Sequence, residues 1–305
     1  MRFTIVIPAY NAAETLPATL DSLTAQGFAD WEALVVDDGS SDATRALVKE
    51  AAQADSRIVL LVNPGKGPSD ARNFGASRAR GQILAFCDAD DLWQADKLDG
   101  LARAFDTAQA DALFGQIGFF NEDPQTLSTV STVPAGAVTV QMLLGENPVC
   151  TMSNLAVRAD VFADVGGFRA DMVHNEDLEF LIRLVGEGFA LRGIDRLHVR
   201  YRASIGGLSA DLDRMQRGRA EALKTARRYG VAPDARAEAV HMRYLARRAL
   251  RLDQGPDIAR RLALQGMRLA PRAFLMPPRR GVATAGAALI APCLPAALRR
   301  VLFAH

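Results

Sequence analysis

Residues 31–40 read WEALVVDDGS, an apolar run that changes at Asp37 into a polar turn. The same change occurs in 3–11 (FTIVIPAYN) and in 82–91 (QILAFCDADD). Short runs rich in Val, Ile and Leu that end in turn residues are typical of buried parallel strands. Residues 58–62 (IVLLV) form a similar apolar run without the acidic turn. Together, the four runs predict strands over 3–7, 31–36, 58–62 and 82–87.

Helical patterns separate these strands. In residues 12–25, three leucines recur on one face, and Asn11 marks the predicted helix start. A second helix is predicted to begin near Pro68. Alternation of strands and helices predicts right-handed crossovers and an α/β fold with a mostly parallel sheet flanked by helices. Ligands bind at the carboxyl ends of such strands, so the three polar turns are expected to converge on one crevice.

Charge divides the chain into two regions. Residues 1–210 hold 17 Lys+Arg and 28 Asp+Glu, whereas residues 211–305 hold 19 and 7. We predict an α/β domain over 1–210, with a second half beginning near 121, and a helical, Arg-rich region over 211–305. A basic region suggests an anionic surface as partner, and docking on the acidic domain is the alternative. The basic region 211–305 lacks interleaved aromatic residues, so no nucleic-acid partner is predicted.

The segment 271–305 is a candidate for membrane-surface binding. Within it, 281–298 carries no charge and is flanked by arginine pairs. Pro292 and Pro295 argue against a regular spanning helix, although the length is near the lower limit for one. Surface binding, packing on the catalytic domain and spanning are the three alternatives that the sequence leaves open.

Composition indicates a globular protein, because 49% of the residues are hydrophobic and 23% are charged. The three cysteines, at 87, 150 and 293, are widely spaced and form neither a disulfide framework nor a zinc pattern. The N-terminal residues show no signal-peptide pattern. These features predict a cytoplasmic location, with peripheral attachment to the cytoplasmic face of a membrane as the further expectation.

Asp88-Ala89-Asp90 is the candidate metal site. Carboxylate oxygens suit Mg²⁺ or Mn²⁺, and Mg²⁺ is typically held by one or two carboxylates together with substrate phosphates. Such a triplet also occurs in solvated loops, so its position after a buried strand and opposite Asp37 is what favours a metal. The next residue, Asp91, is a candidate helix cap instead.

Two other loops are candidates for nucleotide binding. Asp37 and Asp38 can accept a hydrogen bond from a uracil N–H or from ribose hydroxyls, although a turn followed by a helix cap explains Ser40 equally well. The loop 65–75 (GKGPSDARNFG) lacks the P-loop order, but Arg72 on the helix that follows can reach a phosphate. A surface salt bridge is the alternative for Arg72.

The order of the motifs IVIPAYN, VVDDGSSD, GPSDARNFG, FCDADDLW, VGGF and NED resembles the inverting glycosyltransferases of family 2. The resemblance covers about residues 3–210. It implies the GT-A fold, a Rossmann-like α/β domain with a nucleotide-binding half over about 1–120 and an acceptor-binding half over about 121–210. It also implies a nucleotide-sugar donor, for which UDP is expected, and a hydroxyl of a glycan or lipid-linked acceptor.

The resemblance assigns roles to individual positions. Pro8, Ala9 and Tyr10 resemble the segment that lines the base pocket, and Asp37 resembles the carboxylate that pairs with uracil, with Asp38 beside it. Arg72 resembles a nucleotide contact. For the metal, which would be Mn²⁺ or Mg²⁺, Asp90 is the expected ligand and Asp88 a second ligand or a ribose contact.

On the acceptor side, Asp177 of the sequence Asn175-Glu176-Asp177 resembles the catalytic base, with Glu176 as the neighbouring catalytic candidate. A helix N-terminus that favours acidic residues is the alternative for both. Arg183 matches a basic position after that motif, and Trp93 can contact the acceptor or pack internally. We predict Trp93 and Arg183 as acceptor contacts.

Two other classes of protein remain as alternatives. A nucleotidyltransferase that makes sugar nucleotides would share the sheet and a metal-binding Asp, but residues 7–11 (IPAYN) offer no Gly-rich loop with a basic residue for a triphosphate. A non-catalytic module that binds a sugar or nucleotide would not require Asp177.

Overall fold

All four strands predicted in the first 90 residues are present in the computed structural model, which describes residues 1–203, 212–252 and 255–303, with only the backbone of 212 and 213. They are β1 (Phe3–Ala9), β2 (Trp31–Asp37), β3 (Ile58–Val62) and β4 (Ile83–Phe86), and they pair in parallel in the order β3-β2-β1-β4. The helices between them are α1 (Leu16–Thr24), α2 (Thr44–Ala54) and α3 (Pro68–Ser77).

The start of α1 differs from the prediction. The helix begins at Leu16 rather than at residue 12, and Pro17 lies in its first turn. Proline fits this position because the first N–H groups of a helix have no intrahelical partner. Asn11 adopts a left-handed backbone conformation, and its side chain accepts a hydrogen bond from the Ser41 N–H at 2.9 Å. It therefore joins two loops instead of capping the helix.

The second half of the sheet is mixed. Its strands are β5 (Leu92–Trp93), β6 (Ala112–Phe120), β7 (Thr129–Val130), β8 (Ala156–Arg158) and β9 (Leu191–Arg202). The full order is β3-β2-β1-β4-β8-β6-β9-β5, with β7 beside β6, and β8 runs antiparallel to both of its neighbours. The predicted α/β fold is confirmed, but parallel pairing dominates only in the first half.

Three helices flank this half of the sheet, namely α4 (Lys97–Thr107), α6 (Ala159–Asp164) and α7 (Glu176–Gly186). A buried cluster joins β1, β2 and β4 to the helices α1 and α4 through large side chains, including Phe3, Trp31, Leu16 and Leu101. The burial of these strands leaves the loops at their carboxyl ends as the accessible part of the sheet edge.

The chain divides into two compact units. The first comprises Met1–Val138 and Pro148–Ser204, and the second comprises Thr139–Asn147 and Ile205–His305. The short helix α5 (Val140–Gly145) thus packs with the C-terminal helices, although we predicted it within the acceptor half. Its residues Leu143 and Leu144 are buried, and Gly145 lies against Val240. The predicted boundary at 210 and 211 lies outside the described residues.

The second unit is helical, as predicted. Its longer helices are α8 (Leu212–Arg228), α9 (Ala235–Arg251), α10 (Pro256–Leu269) and α12 (Pro278–Ile290), and the shorter ones are α11 (Pro271–Leu275) and α13 (Ala296–Phe303). Small residues on α9, α10 and α12 pack around Phe274. None of the helices in the described ranges combines the length and the apolar character needed to cross a membrane.

Gly81 provides a test of the packing at the start of β4. A Cβ atom there would lie 2.4 Å from the Thr4 backbone nitrogen and 2.5 Å from the Phe3 carbonyl carbon. Because backbone cannot move aside as a side chain can, we expect Gly81→Ala to lower the free energy of unfolding by about 2–3 kcal/mol. Both tryptophans, Trp31 and Trp93, lie with Gly81 in the first unit. The midpoint of urea unfolding, followed by tryptophan fluorescence, therefore measures the effect.

Gly100 is the matched control for this prediction. It lies inside α4, and a Cβ there would make an ordinary contact of 3.7 Å with His198. Alanine in a helix interior stabilises by roughly 0.5–1 kcal/mol relative to glycine, so Gly100→Ala is expected to raise the midpoint slightly. Equal midpoints for the two variants would contradict the argument from backbone contact.

Candidate active site

The predicted convergence of the polar turns occurs at the carboxyl edge of the sheet. The Asp38 N–H donates to the Ala9 carbonyl at 2.8 Å, which joins the turn after β2 to the end of β1. The Thr15 hydroxyl donates to the Ala89 carbonyl at 2.9 Å, which joins the start of α1 to the turn after β4. Tyr10 projects from this edge with 62% of its surface exposed, whereas Ala9 is buried and Pro8 is half-buried.

Asp37 holds its own turn together and has no exposed surface. Its carboxylate accepts hydrogen bonds from the Gly39 N–H at 3.1 Å, the Ser40 N–H at 3.3 Å and the Arg45 Nε at 2.6 Å. Burial would raise the pKa of Asp37, but these hydrogen bonds outweigh it and hold the pKa below its usual value. Asp37 therefore fixes the shape of this turn, and its contact with the base stays a prediction.

Asp38 is the half-buried carboxylate of the same turn. It accepts hydrogen bonds from the Asn63 side-chain amide at 2.6 Å and from the Gly67 N–H at 2.8 Å. Gly67 has a φ of +90° and directly precedes α3, a conformation that glycine adopts without strain. Asp38 therefore positions the loop that starts α3, and it is the one acidic side chain of this pair that reaches the surface.

Arg72 lies on α3 as predicted and is almost fully buried. Its Nη2 donates to Asp88 Oδ1 at 2.6 Å, and its Nη1 donates to Glu176 Oε1 at 3.2 Å. Burial would lower the pKa of Arg72, but the charges of Asp88 and Glu176 raise it, so the guanidinium stays protonated. Arg72 thus connects the predicted metal motif to the predicted catalytic pair, a connection that sequence reasoning did not anticipate.

Asp88 is positioned by a segment more than 60 residues away. The Thr151 hydroxyl donates to Asp88 Oδ2 at 3.1 Å, and the Asp88 N–H donates to the Ser153 hydroxyl oxygen at 2.8 Å. Sequence reasoning missed Thr151 and Ser153. The signal that could have found them is the short apolar run at 155–157 (LAV), because the structure places β8 of that segment beside β4.

Asp91 belongs to the interior rather than to a helix cap. The Ser153 hydroxyl and the Arg202 N–H both donate to its carboxylate, and Asp91 is fully buried. The next helix, α4, begins at Lys97 with Asp96 before it. The predicted capping role is therefore wrong, because Asp91 lies six positions before the first helical residue, Lys97.

The carboxylates of Asp88 and Asp90 fit a hard divalent cation that is bound by few protein ligands. Burial first, and then the charge of Asp88, raises the pKa of Asp90 to about 6. Two carboxylates that repel each other in a partly desolvated turn favour a cation between them. Within the described residues, no group of three or more His, Cys, Asp or Glu side chains is arranged to hold a metal. Substrate oxygens would have to complete the coordination, as is usual for Mg²⁺.

Glu176 and Asp177 occupy the first turn of α7, after Asn175 in a left-handed conformation. Both are half-buried. Burial, followed by the charge of Asp177, raises the pKa of Glu176 to about 7, while Arg72 opposes the shift. The helix N-terminus favours acidic residues here. It does not exclude proton transfer, because a carboxyl group with a pKa near 7 is suited to accept a proton.

Trp93 and Arg183 both make internal packing contacts, and their roles as acceptor contacts stay predictions. The Trp93 indole N–H donates to the Ser153 carbonyl at 3.0 Å, and the Lys97 Nζ lies 3.6 Å from the centre of its buried ring. Arg183 pairs with Glu179 and donates to the carbonyls of the turn at 165–167. Their hydrogen-bonding groups are used inside the first unit.

This sheet, with an acidic pair at the carboxyl end of β4 and a mixed second half, defines a GT-A fold protein. A family model described as "Glycosyl transferase family 2" matches residues 4–166. The chain belongs to that family.

Three known proteins show the extent of the similarity. The glucosyltransferase WfgD of Escherichia coli, named for UDP-Glc and for GlcNAc-diphosphoundecaprenol, is 48% identical over 96 residues, which are 31% of this chain and 37% of WfgD. Staphylococcus aureus TarS 1–349 with UDP has a TM-score of 0.61 at 19% identity, covering 96% of this chain and 91% of that one. Mannosyltransferase PcManGT of Pyrobaculum calidifontis with GDP-Man and Mn²⁺ has a TM-score of 0.60 at 20% identity, covering 96% of this chain and 86% of that one.

The matched stretch therefore spans well under half the length of WfgD. The two solved structures, at their low sequence identity, establish the fold.

Proposed function

We propose that this protein transfers a sugar from a nucleotide sugar, with UDP as the nucleotide, to a hydroxyl of a glycan or lipid-linked acceptor, with inversion at the anomeric carbon. The observation that carries the proposal is the chain of contacts Asp88–Arg72–Glu176, which joins the acidic turn after β4 to the acidic start of α7. Family membership and the names of UDP-dependent relatives support it.

The donor would bind along the carboxyl edge of the sheet. Pro8, Ala9 and Tyr10 would line the base pocket, and Asp38 would contact the nucleoside, with the buried Asp37 beside it. Asp90, with Asp88, would hold Mn²⁺ or Mg²⁺, which supplies charge neutralisation on the departing diphosphate. The Mn²⁺ complex of a structural relative supports a divalent metal of this kind.

The acceptor would bind near the start of α7. Asp177, or Glu176 beside it, would accept the proton of the attacking hydroxyl, so that a single displacement inverts the anomeric centre. Arg72 would keep Asp88 and Glu176 at fixed separation while charge moves from the donor bond to the leaving group. No protein nucleophile is needed for a single displacement.

The two alternatives predict different outcomes. A nucleotidyltransferase would consume a nucleoside triphosphate and a sugar phosphate, and family membership argues against it. A non-catalytic module would bind a nucleotide sugar without turnover. The test is a thermal-shift and hydrolysis screen of UDP-glucose, UDP-GlcNAc and GDP-mannose, each with Mn²⁺ or Mg²⁺. Ligand at 100 times its dissociation constant should stabilise by about 2.7 kcal/mol. Binding without any nucleotide release would favour the non-catalytic module.

Thr151 is expected to act as a positioning residue for Asp88. Thr151→Val removes the hydroxyl that donates to Asp88 Oδ2 but preserves shape, so we expect kcat/KM to fall roughly tenfold, because hydrogen bonds to charged groups contribute about 1.5–3 kcal/mol. The measurement is the initial rate at varied Mn²⁺ and donor concentrations. Thr151→Ser should restore most of the activity. Thr107→Val, which removes an exposed hydroxyl on α4, should have no effect on the activity. Failure of serine to rescue would argue against positioning.

For the C-terminal segment, we propose attachment to an anionic membrane surface, which would make the protein peripheral on the cytoplasmic face. The inner stripe of α12 packs on the other helices of its own unit. Its outer stripe, however, is apolar where a solvent-facing stripe is normally polar. The exposed side chains are Val282 at 55%, Leu289 at 42% and Ile290 at 52%, and α13 has no buried residue.

Flotation with vesicles that contain an anionic phospholipid tests this attachment. Replacing the three exposed residues of α12 by serine is expected to reduce the bound fraction several-fold, because each removes buried apolar area in the membrane. The matched control replaces three exposed valines of the first unit by serine, at Val62, Val130 and Val173. Equal binding of both triple variants, or no binding of the unmodified chain, would refute the membrane proposal.

A further inference from the structure

The helical unit holds a group of arginines that converge on a single carboxylate. Glu146 directly follows α5, and three guanidinium groups surround it. The Arg243 Nη2 lies 3.1 Å from Glu146 Oε2, the Arg247 Nη2 lies 3.5 Å from Oε1, and the Arg280 Nη1 lies 3.7 Å from Oε1. We name these four residues the Glu146 cluster.

Arg243 is committed to the framework of this cluster. It is almost fully buried, and its Nη1 donates to the carbonyls of Ala273 and Phe274 at 3.3 and 3.4 Å. Its short contact with Glu146 neutralises the one negative charge of the cluster. Arg243 therefore anchors the turn before α12 and leaves Glu146 little capacity for further cations.

Arg247 and Arg280 are the uncompensated members. Their side chains are 31% and 28% exposed, and both contact Glu146 only at long distance. Across the described residues, no other acidic side chain forms a salt bridge with either of them. Two positive charges therefore lie half-buried beside a carboxylate that is already paired.

The helix itself adds to this crowding. Arg243, Arg247 and Arg251 recur every four residues on α9, and like charges at that spacing destabilise a helix. Burial lowers the pKa of Arg251, and the neighbouring Arg247 and Arg248 lower it further. A multivalent anion would relieve this repulsion, and the planar guanidinium fork matches the oxygens of a phosphate.

We propose that Arg247 and Arg280, which converge on Glu146 beside the buried Arg243, bind a phosphate group. The group can come from two sources: a soluble phosphate compound or the headgroup of a phospholipid. This site lies in the helical unit and is separate from the carboxylates to which we assign sugar transfer. Its test therefore requires neither a nucleotide sugar nor a divalent metal.

The first arm measures binding of inorganic phosphate and pyrophosphate to the full chain, by calorimetry and thermal shift, in EDTA at constant ionic strength. We expect the double variant Arg247→Gln, Arg280→Gln to bind about tenfold more weakly, because it loses two charge-assisted contacts. The control Arg227→Gln, Arg228→Gln removes the same charge from exposed positions on α8 and should stay within about twofold. Asp90→Asn should leave the binding unchanged, which separates this site from the proposed diphosphate site.

The second arm uses vesicles of phosphatidylcholine with and without phosphatidic acid. Selective loss of binding to phosphatidic acid in the Arg247, Arg280 variant, without solution binding of phosphate, identifies the headgroup as the source. Glu146→Gln gives a result of opposite sign: removal of the competing carboxylate should tighten phosphate binding, provided that circular dichroism shows an intact fold. If the unmodified chain binds neither probe, or if both double variants lose binding equally, the proposal is refuted.

Discussion

Replacing Asp90 by asparagine is expected to lower kcat by about 10³-fold, the scale observed when an enzyme loses one group that stabilises charge in the transition state. The carbonyl oxygen of asparagine can still coordinate a cation, but it lacks the charge that attracts one. We therefore also expect a higher Mn²⁺ concentration for half-maximal activity. Initial rates of nucleotide release across a Mn²⁺ series measure both effects.

The control is Asp171→Asn. Asp171 pairs with Arg169 on the surface of the same unit, so this variant makes the same chemical change at an exposed ion pair. Surface pairs contribute little to stability, and its rates should match those of the unmodified chain. Nearly unchanged activity of Asp90→Asn at low Mn²⁺ would remove Asp90 from the proposed metal site.

The second large effect is expected from Asp177→Asn. If Asp177 accepts the proton of the acceptor hydroxyl, its loss should lower kcat by about 10²–10⁴-fold, the range that general-base catalysis contributes. Binding of the donor, measured by thermal shift, should be unchanged because the carboxylate acts on the acceptor. Turnover that survives this substitution would refute the assignment of the base.

Glu176→Gln distinguishes the two neighbouring carboxylates. Glu176 contacts Arg72, so its replacement is expected to act through the position of that guanidinium and to reduce kcat less than Asp177→Asn does. The pH profile adds a second criterion. A base works only when deprotonated, so if Glu176 were the base, kcat would fall as the pH drops below its pKa of about 7. A steep loss near pH 7 that disappears in Glu176→Gln would assign the base to Glu176.

The prediction of the strands succeeded because their signal is local. Each of the four runs combines β-branched or aromatic residues with a turn at its end, and burial on both faces requires that pattern. The start of α1 was placed wrongly because Asn11 followed by Glu14 has the spacing of a helix cap. In the folded chain, Asn11 instead bonds to Ser41 from the neighbouring turn, and Pro17 takes the first turn of the helix.

The two aspartates of the turn after β2 show the limit of a motif. They are adjacent in the sequence, but the strand geometry directs Asp37 inward and leaves Asp38 half-buried at the edge. Trp93 and Arg183 show a related limit. A motif shows that a residue is near the site, whereas its burial depends on the segments that pack against it. For Trp93 that segment includes Ser153, 60 residues away.

The sequence by itself determined the α/β class, the family and the edge of the sheet at which the acidic turns lie, because strand periodicity and turn composition are properties of short segments. Only the tertiary structure decided which carboxylates are available. It buried Asp37 and Asp91, tied Asp88 to Thr151 and joined Asp88 to Glu176 through Arg72. These contacts connect residues up to 104 positions apart, and such pairings arise from the antiparallel return of β8 and the docking of α7, which no local pattern encodes.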